Sequence, residues 1–224
     1  MSQSPKRPSA AAKGRPASTA GSGPRPSADT KGQGGGSAAA APRARGAGRE
    51  ALVAAARAEF EEVGYEHTDT NRIARRAGYA PQTFYRHFAD KAAIFIEIYT
   101  KWFDEEWKDL EGAHAAGPEA TARVVLKHHA RHREFRRSLR RLTVRDPAVR
   151  AARAASRERQ AALLEQRGEG PADRVSRFAL LLCIERIADA AAEGELDDLG
   201  LSRKSQVAML AEVITRLGAK RPGA

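Results

Sequence analysis

The chain offers little from which to build a covalent framework, a membrane span or a sheet. It has one cysteine in 224 residues, Cys183, so no intrachain disulfide can form. That cysteine lies in the longest apolar run, 178–184, which predicts an ordinary core thiol and a reducing compartment. The run is far shorter than the roughly 18 apolar residues a membrane span needs. The basic N-terminus is followed by no apolar stretch of the secretion-signal kind. A cytoplasmic, nucleoid-associated protein without membrane contact is therefore expected. No convincing strand pattern or internal repeat occurs, and aromatics make up only 6% of the residues. No Ser/His/Asp arrangement, phosphate-binding glycine loop or dense metal-ligand cluster stands out. Hence no catalytic residue, cofactor or metal is expected.

What is present favours helix. Ala and Arg abound, both good helix formers, and the 42% hydrophobic content suffices for a core. The formal charge is +11 and is unevenly placed. Residues 1–47 carry eight lysines and arginines against Asp29 alone, a net of +7. Rich in Ala, Gly, Ser and Pro and without apolar periodicity, this stretch cannot bury enough surface to offset its ordering entropy, which predicts a disordered basic tail. Its "KGRP" at 13–16 resembles the core of an AT-hook, but a nonspecific electrostatic tether or an inert tail is the simpler reading. Residues 219–224 are expected to be a flexible end.

From about Arg49 the periodicity becomes helical. Leu52, Ala56, Phe60 and Val63 recur at helical spacing, up to a stop at Gly64. Thr68, Asp69 and Thr70 are candidate N-caps for a short helix with Ile73, Ala74 and Ala77 inward and Arg72, Arg75 and Arg76 around it. Gly78 suits the helix-terminating position with positive φ. Pro81 suits the first turn of the next helix, which is expected to reach about Phe88. Asp90 can cap the one after, where Ile94, Ile98 and Trp102 share a face beside the stripe Phe95, Tyr99 and Phe103. Further helices are expected near 119–131, 133–143, 147–166, 172–192 and 203–217, about nine in all. The penultimate one is apolar around much of its circumference, which predicts burial on more than one side. The last carries Val207, Leu210, Ile214 and Leu217 as a seam for another helix.

Helix, glycine turn and short helix form the helix-turn-helix pattern, whose second helix enters a major groove about 12 Å wide. Such a helix must be anchored from behind and polar in front. Phe84 and Phe88 can anchor; Gln82 and Arg86 can present donors to base edges; Thr83, Tyr85 and His87 can reach phosphates. Lys91 can meet another.

At these residues "HTDTNRIARRAGYAPQTFYRHFADKAAIF" resembles the DNA-binding domain of the tetracycline-repressor (TetR) family of bacterial transcription regulators. The family pattern is met at Thr68, Ile73, Ala74, Ala77, Gly78, Thr83, Phe84, Tyr85, His87, Phe88 and Lys91. The resemblance implies phosphate contacts from Thr83, Tyr85, His87 and Lys91, and base or groove contacts from Pro81, Gln82 and Arg86. It also implies backbone amides offered to phosphate from Asp69, Thr70 and Asn71, although the Asp69 carboxylate itself repels one. Two positions depart from the pattern. Ala80 stands where a capping Ser is frequent, and Gln82 where Gly is, so base preference is expected to differ.

The resulting expectation is an all-α chain. Residues 48–92 form a three-helix helix-turn-helix domain, and residues 93–218 a helical bundle for effector binding and dimerisation through the last two helices. The family implies a ligand-responsive repressor acting as a homodimer on a palindromic double-stranded operator. The alternative is an architectural DNA binder without effector. Tyr99, Trp102, Phe103 and Trp107 fall where a small-molecule pocket would meet the fourth helix, although such stripes serve packing more often. His128, His129 and His132 invite a zinc reading but have too few partners nearby, so a polar helix face is expected. Eleven arginines in 131–159 are read as mainly solvated surface.

Overall fold

The computed structural model describes residues 46–218, with side chains as far as residue 216. The tail assigned to 1–47, with its KGRP stretch, lies almost wholly outside the described residues, as do 219–224 and the side chain of Leu217. Among the described residues there are ten helices and no strand. They run α1 (Ala47–Glu62), α2 (Thr70–Arg76), α3 (Pro81–Tyr85), α4 (Lys91–Ala115), α5 (Pro118–Arg131), α6 (Arg133–Arg145), α7 (Pro147–Gln166), α8 (Arg174–Glu193), α9 (Glu195–Asp198) and α10 (Arg203–Gly218).

Local chemistry sets most of these boundaries. Asp69, Asp90, Asp146 and Asp173 each cap a helix by accepting from a backbone N–H of the first turn. Ala80 makes no side-chain cap, and Pro81 takes the first position of α3, where its missing N–H costs nothing. Gly78 ends the α2 turn at φ +78°, a conformation that L residues adopt only at a cost. A Cβ there would meet nothing within 4 Å. Gly78→Ala should therefore destabilise through backbone strain alone, by about 1–2 kcal/mol. Chemical denaturation against Gly78→Asn, which tolerates positive φ better, separates strain from packing.

α3 is shorter than the sequence predicted, ending at Tyr85. Arg86 to Phe88 still close as turns, with the N–H of His87 and of Phe88 both donating to the Phe84 carbonyl. α9 was not foreseen; a single turn between two glycines has too few residues to show a period.

Two cores lie along α4. The first joins Leu52, Phe60, Ile73, Phe84 and Phe88 of the N-terminal helices to Ile94, Phe95 and Trp102 of α4, and continues into Phe135, Leu139 and Leu142 of α6. Phe95 and Phe135 stack at 4.6 Å, so α6 is packed into the base of the helix-turn-helix. The second core joins Phe103, Trp107 and Leu110 of α4 to Leu126 of α5, Ala188 of α8, and Val207 and Leu210 of α10.

One expectation is corrected on α8. The apolar run was predicted to be buried on several sides, with Cys183 in the core. In the chain Leu180 is buried, Phe178, Leu181 and Ile184 are half-buried, and Leu182 and Cys183 are exposed. Seven consecutive residues sweep the whole circumference of a helix. The neighbours of α8 within the chain, chiefly α5, α7 and α10, cover only part of it.

Candidate nucleic-acid interface and ligand cavity

The helix-turn-helix is held together by a buried carboxylate that the sequence reading overlooked. Glu59 on α1 is 3% exposed. It accepts from Thr68 Oγ1 and Arg76 Nη1, each at 3.0 Å, and pairs with Arg72. Burial would raise its pKa, but the arginines and Thr68 more than offset this and hold it below the ordinary value. Arg76 also pairs with Glu62 at 2.5 Å. Two of the three arginines around α2 thus brace α1, while Arg75 is exposed and has no partner among the described residues. The only signal was an acidic residue sitting between Ala56 and Phe60 on an otherwise apolar face.

On that support, Asp69, Asn71, Gln82, Tyr85 and Arg86 of the predicted contact residues are exposed, and Thr70, Pro81, Thr83, His87 and Lys91 are half-buried. Phe84 is fully buried and Phe88 is 5% exposed, anchoring the segment from behind. Gln82 and Arg86 are exposed, and neither has a partner among the described residues. Tyr85 is 59% exposed, and its hydroxyl lies 3.0 Å from Thr70 Oγ1, fixing the start of α2 beside α3. Pro81 and Thr83 are half-buried, and Asn71 is exposed. Asp69 Oδ1 accepts from Arg72 N at 2.7 Å, so this carboxylate occupies one of the amides at the start of α2. The His87 carbonyl accepts from Arg49 Nη1 at 2.9 Å, and a Cβ at Gly48 would fall 3.3 Å from the ring's Nε2. The absence of a side chain at Gly48 lets α1 approach this closely.

Lys91 lies differently from the others. Its Nζ donates to the carbonyls of Tyr65 at 2.7 Å and Thr68 at 2.8 Å, and stands 4.0 Å from the Tyr65 ring centre. Burial lowers its pKa. Two of the three ammonium donors are committed to the loop before α2, leaving one for any other partner.

These residues fall within 52–98, which match the family model for bacterial regulatory proteins of the tetR family. That stretch therefore resembles the DNA-binding domain of the tetR-family regulators over about a fifth of the chain. No curated protein matches it in sequence. Solved structures share the fold at low identity. A transcriptional regulator of Streptomyces coelicolor, SCO7518, is 21% identical with a TM-score of 0.57, covering 75% of this chain and 98% of that one. A TetR-family regulator from Rhodococcus is 16% identical with a TM-score of 0.59, covering 78% and 100%. The multidrug binding protein EbrR, complexed with imidazole, is 20% identical with a TM-score of 0.60, covering 76% and 94%.

Farther along α4 a cavity of about 420 Å³ opens among α4, α5, α7, α8 and α10. Tyr99, Trp102, Phe103 and Trp107, the four residues singled out in sequence, all line it. Arg136, His129, Glu106 and Glu185 supply its inner polar wall. Glu106 was not anticipated; its signal was again a carboxylate at a core position, beside Phe103 and Trp107.

One further reading is corrected here and another is narrowed. His128, His129 and His132 are not a polar surface, since each is buried and faces a carboxylate: Glu106 at 3.3 Å, Asp189 at 2.9 Å and Glu61 at 2.9 Å. α5 is enclosed by α4, α8 and α10, so its polar residues need partners from those helices. Of the eleven arginines of 131–159 six are exposed, as expected, but the others are not a solvated face. Arg136 and Arg153 are buried, and with Arg157 they converge on Glu185; Arg136 and Arg140 also meet Asp189. The surrounding guanidinium groups outweigh burial and bring the Glu185 carboxyl down to about 2, with Asp189 also well below the ordinary range.

Proposed function

We propose that the chain is a ligand-responsive repressor that binds a palindromic operator as a homodimer. One observation carries the reading: a single helix, α4, serves both ends of the molecule. Its first residue, Lys91, holds the loop that precedes α2, and its residues from Tyr99 to Leu110 wall the cavity. A small molecule that favours one α4 position thereby changes the placement of α2 and α3. The achievable shift is bounded by the ligand's differential affinity for the two states, typically about 1–3 kcal/mol.

The exposed apolar face of α8, with Val175, Leu182 and Cys183, supports dimerisation through α8 and α10. A two-fold pair presents two recognition helices to successive major grooves, hence a palindromic site. In this reading Gln82 and Arg86 read bases, with Pro81 at the groove. Thr83, Tyr85, His87 and the amides of Asp69, Thr70 and Asn71 position phosphates, and Lys91 contributes its one remaining donor.

Selection of operators from random duplexes tests the assignment. Arg86→Ala should relax preference at its base position at a cost of about 1–3 kcal/mol. Lys91→Ala should weaken all sequences alike, because it loosens the support rather than the reading surface. The reverse pattern across operator variants would remove these roles, and selection without any palindromic consensus would remove the repressor reading.

A further inference from the structure

The wall of the cavity is electrically unbalanced. Each arginine on it already meets a carboxylate. Arg136 reaches Asp189 at 2.5 Å and Glu185 at 2.9 Å, and Arg157 reaches Glu185 at 2.6 Å. Two wall carboxylates have no arginine or lysine within ion-pair distance. Glu169 faces only His114, at 3.4 Å, and its Oε2 is buried without a hydrogen-bond partner. Glu106 is 7% exposed and faces only histidines. Nδ1 of His128 is 3.3 Å away but makes no aligned hydrogen bond. Nε2 of His129 is 3.8 Å away.

His129 cannot neutralise Glu106. Its Nδ1 is engaged with Asp189 at 2.9 Å, and burial together with the neighbouring Arg136 favours its uncharged form. A neutral ring that donates from Nδ1 presents a lone pair at Nε2. Burial would also raise the Glu106 carboxyl, yet His128 and the Arg136 guanidinium outweigh it and hold it below its ordinary value. Glu106 thus faces the cavity as a carboxylate with no arginine or lysine partner, amid a mixed wall that carries aromatic and aliphatic side chains close by. Trp102, Phe103 and Trp107 flank it on the same helix, and Leu164, Leu180 and Ile184 lie across the cavity.

We infer that the cavity takes a hydrophobic organic cation, an amine or quaternary ammonium with an alkyl or aryl body, whose charge rests against Glu106 between the aromatic rings. The inference rests on the cavity being the effector site and names the class of effector. Ring faces attract cations, and a buried carboxylate supplies the countercharge that such a ligand needs on leaving water. An anion entering here would meet Glu106 and Glu169, and would have to compete with Glu185 and Asp189 for arginines that are already paired.

The two tryptophans of the chain both line the cavity, so intrinsic fluorescence reads its occupancy directly. The full chain is titrated, without DNA, with decyltrimethylammonium, decanol and decanoate, which share a tail and differ in head-group charge. The cation should bind at least about tenfold more tightly than decanol, with decanoate weakest, tenfold corresponding to about 1.4 kcal/mol. Glu106→Gln should lose about tenfold or more for the cation and leave decanol within about twofold. Decanoate binding as tightly as the cation, or Glu106→Gln leaving cation affinity unchanged, overturns the cation assignment while leaving the cavity a ligand site. No fluorescence response to any of the three in the unaltered chain overturns the ligand-site reading with it.

Discussion

Arg136→Ala lowers the free energy of unfolding by about 3–5 kcal/mol, because breaking a buried ion cluster strands its remaining charges. Arg136 is 4% exposed and joins Glu185 to Asp189, the latter 4% exposed on α8. Without the guanidinium, Asp189 keeps His129 and the half-buried Arg140, and Glu185 keeps Arg153 and Arg157. A midpoint drop on the order of 10 °C is expected for a chain of this size. The pH dependence gives a second readout. Glu185, held at about 2 in the folded chain against an ordinary 4.5, contributes stability that is complete above about pH 5. That contribution is lost as pH falls through the folded value, and Asp189 acts in the same direction. Urea midpoints of the parent chain should therefore decline between about pH 5 and pH 2, and the decline should be shallower in Arg136→Ala. Parallel pH profiles would show that this cluster is not the acid-sensitive element.

Phe84→Ala should abolish operator binding and cost about 3–5 kcal/mol of stability. Phe84 has no exposed surface and touches the rings of Tyr85 and Phe88, at 5.4 and 5.7 Å between centres. α3 has only five residues and no side-chain cap, so it has no stability of its own. Its position comes from what Phe84 and Phe88 are buried in. Detached, it cannot hold Gln82 and Arg86 at groove depth, and an affinity loss of at least about a hundredfold follows. The tryptophans beside the cavity should still respond to ligand, since the second core does not include Phe84. Phe84→Leu, which keeps most of the apolar volume, should retain the greater part of both stability and binding. Operator affinity measured by fluorescence anisotropy, alongside tryptophan titration of the same samples, separates detachment of α3 from general unfolding.

The features legible beforehand share a short range. The caps at Asp69 and Asp90, the stop at Gly78, Pro81 at the start of α3, and the anchors Phe84 and Phe88 are each decided within one or two turns. Sequence shows such patterns directly. The four aromatic residues of α4 were placed at a pocket by their stripe and by family resemblance together, and all four line the cavity. What was missed involves partners far apart in the chain. Arg136 and Asp189 are 53 residues apart, and His132 and Glu61 are 71. A histidine or arginine carries no mark of whether it faces water or a distant carboxylate.

Sequence alone therefore determined an all-helical chain, the helix-turn-helix and its outward polar face, because helix period, capping and glycine turns are local properties of the backbone. Tertiary structure alone decided that Glu59 and Glu106 are buried, that Arg136, Arg140, Arg153 and Arg157 converge on α8, and that α8 leaves Leu182 and Cys183 uncovered. The reason is physical. The cost of burying a charge, and whether an apolar face is covered, depend on which helices meet there, and no window along a single helix contains that information.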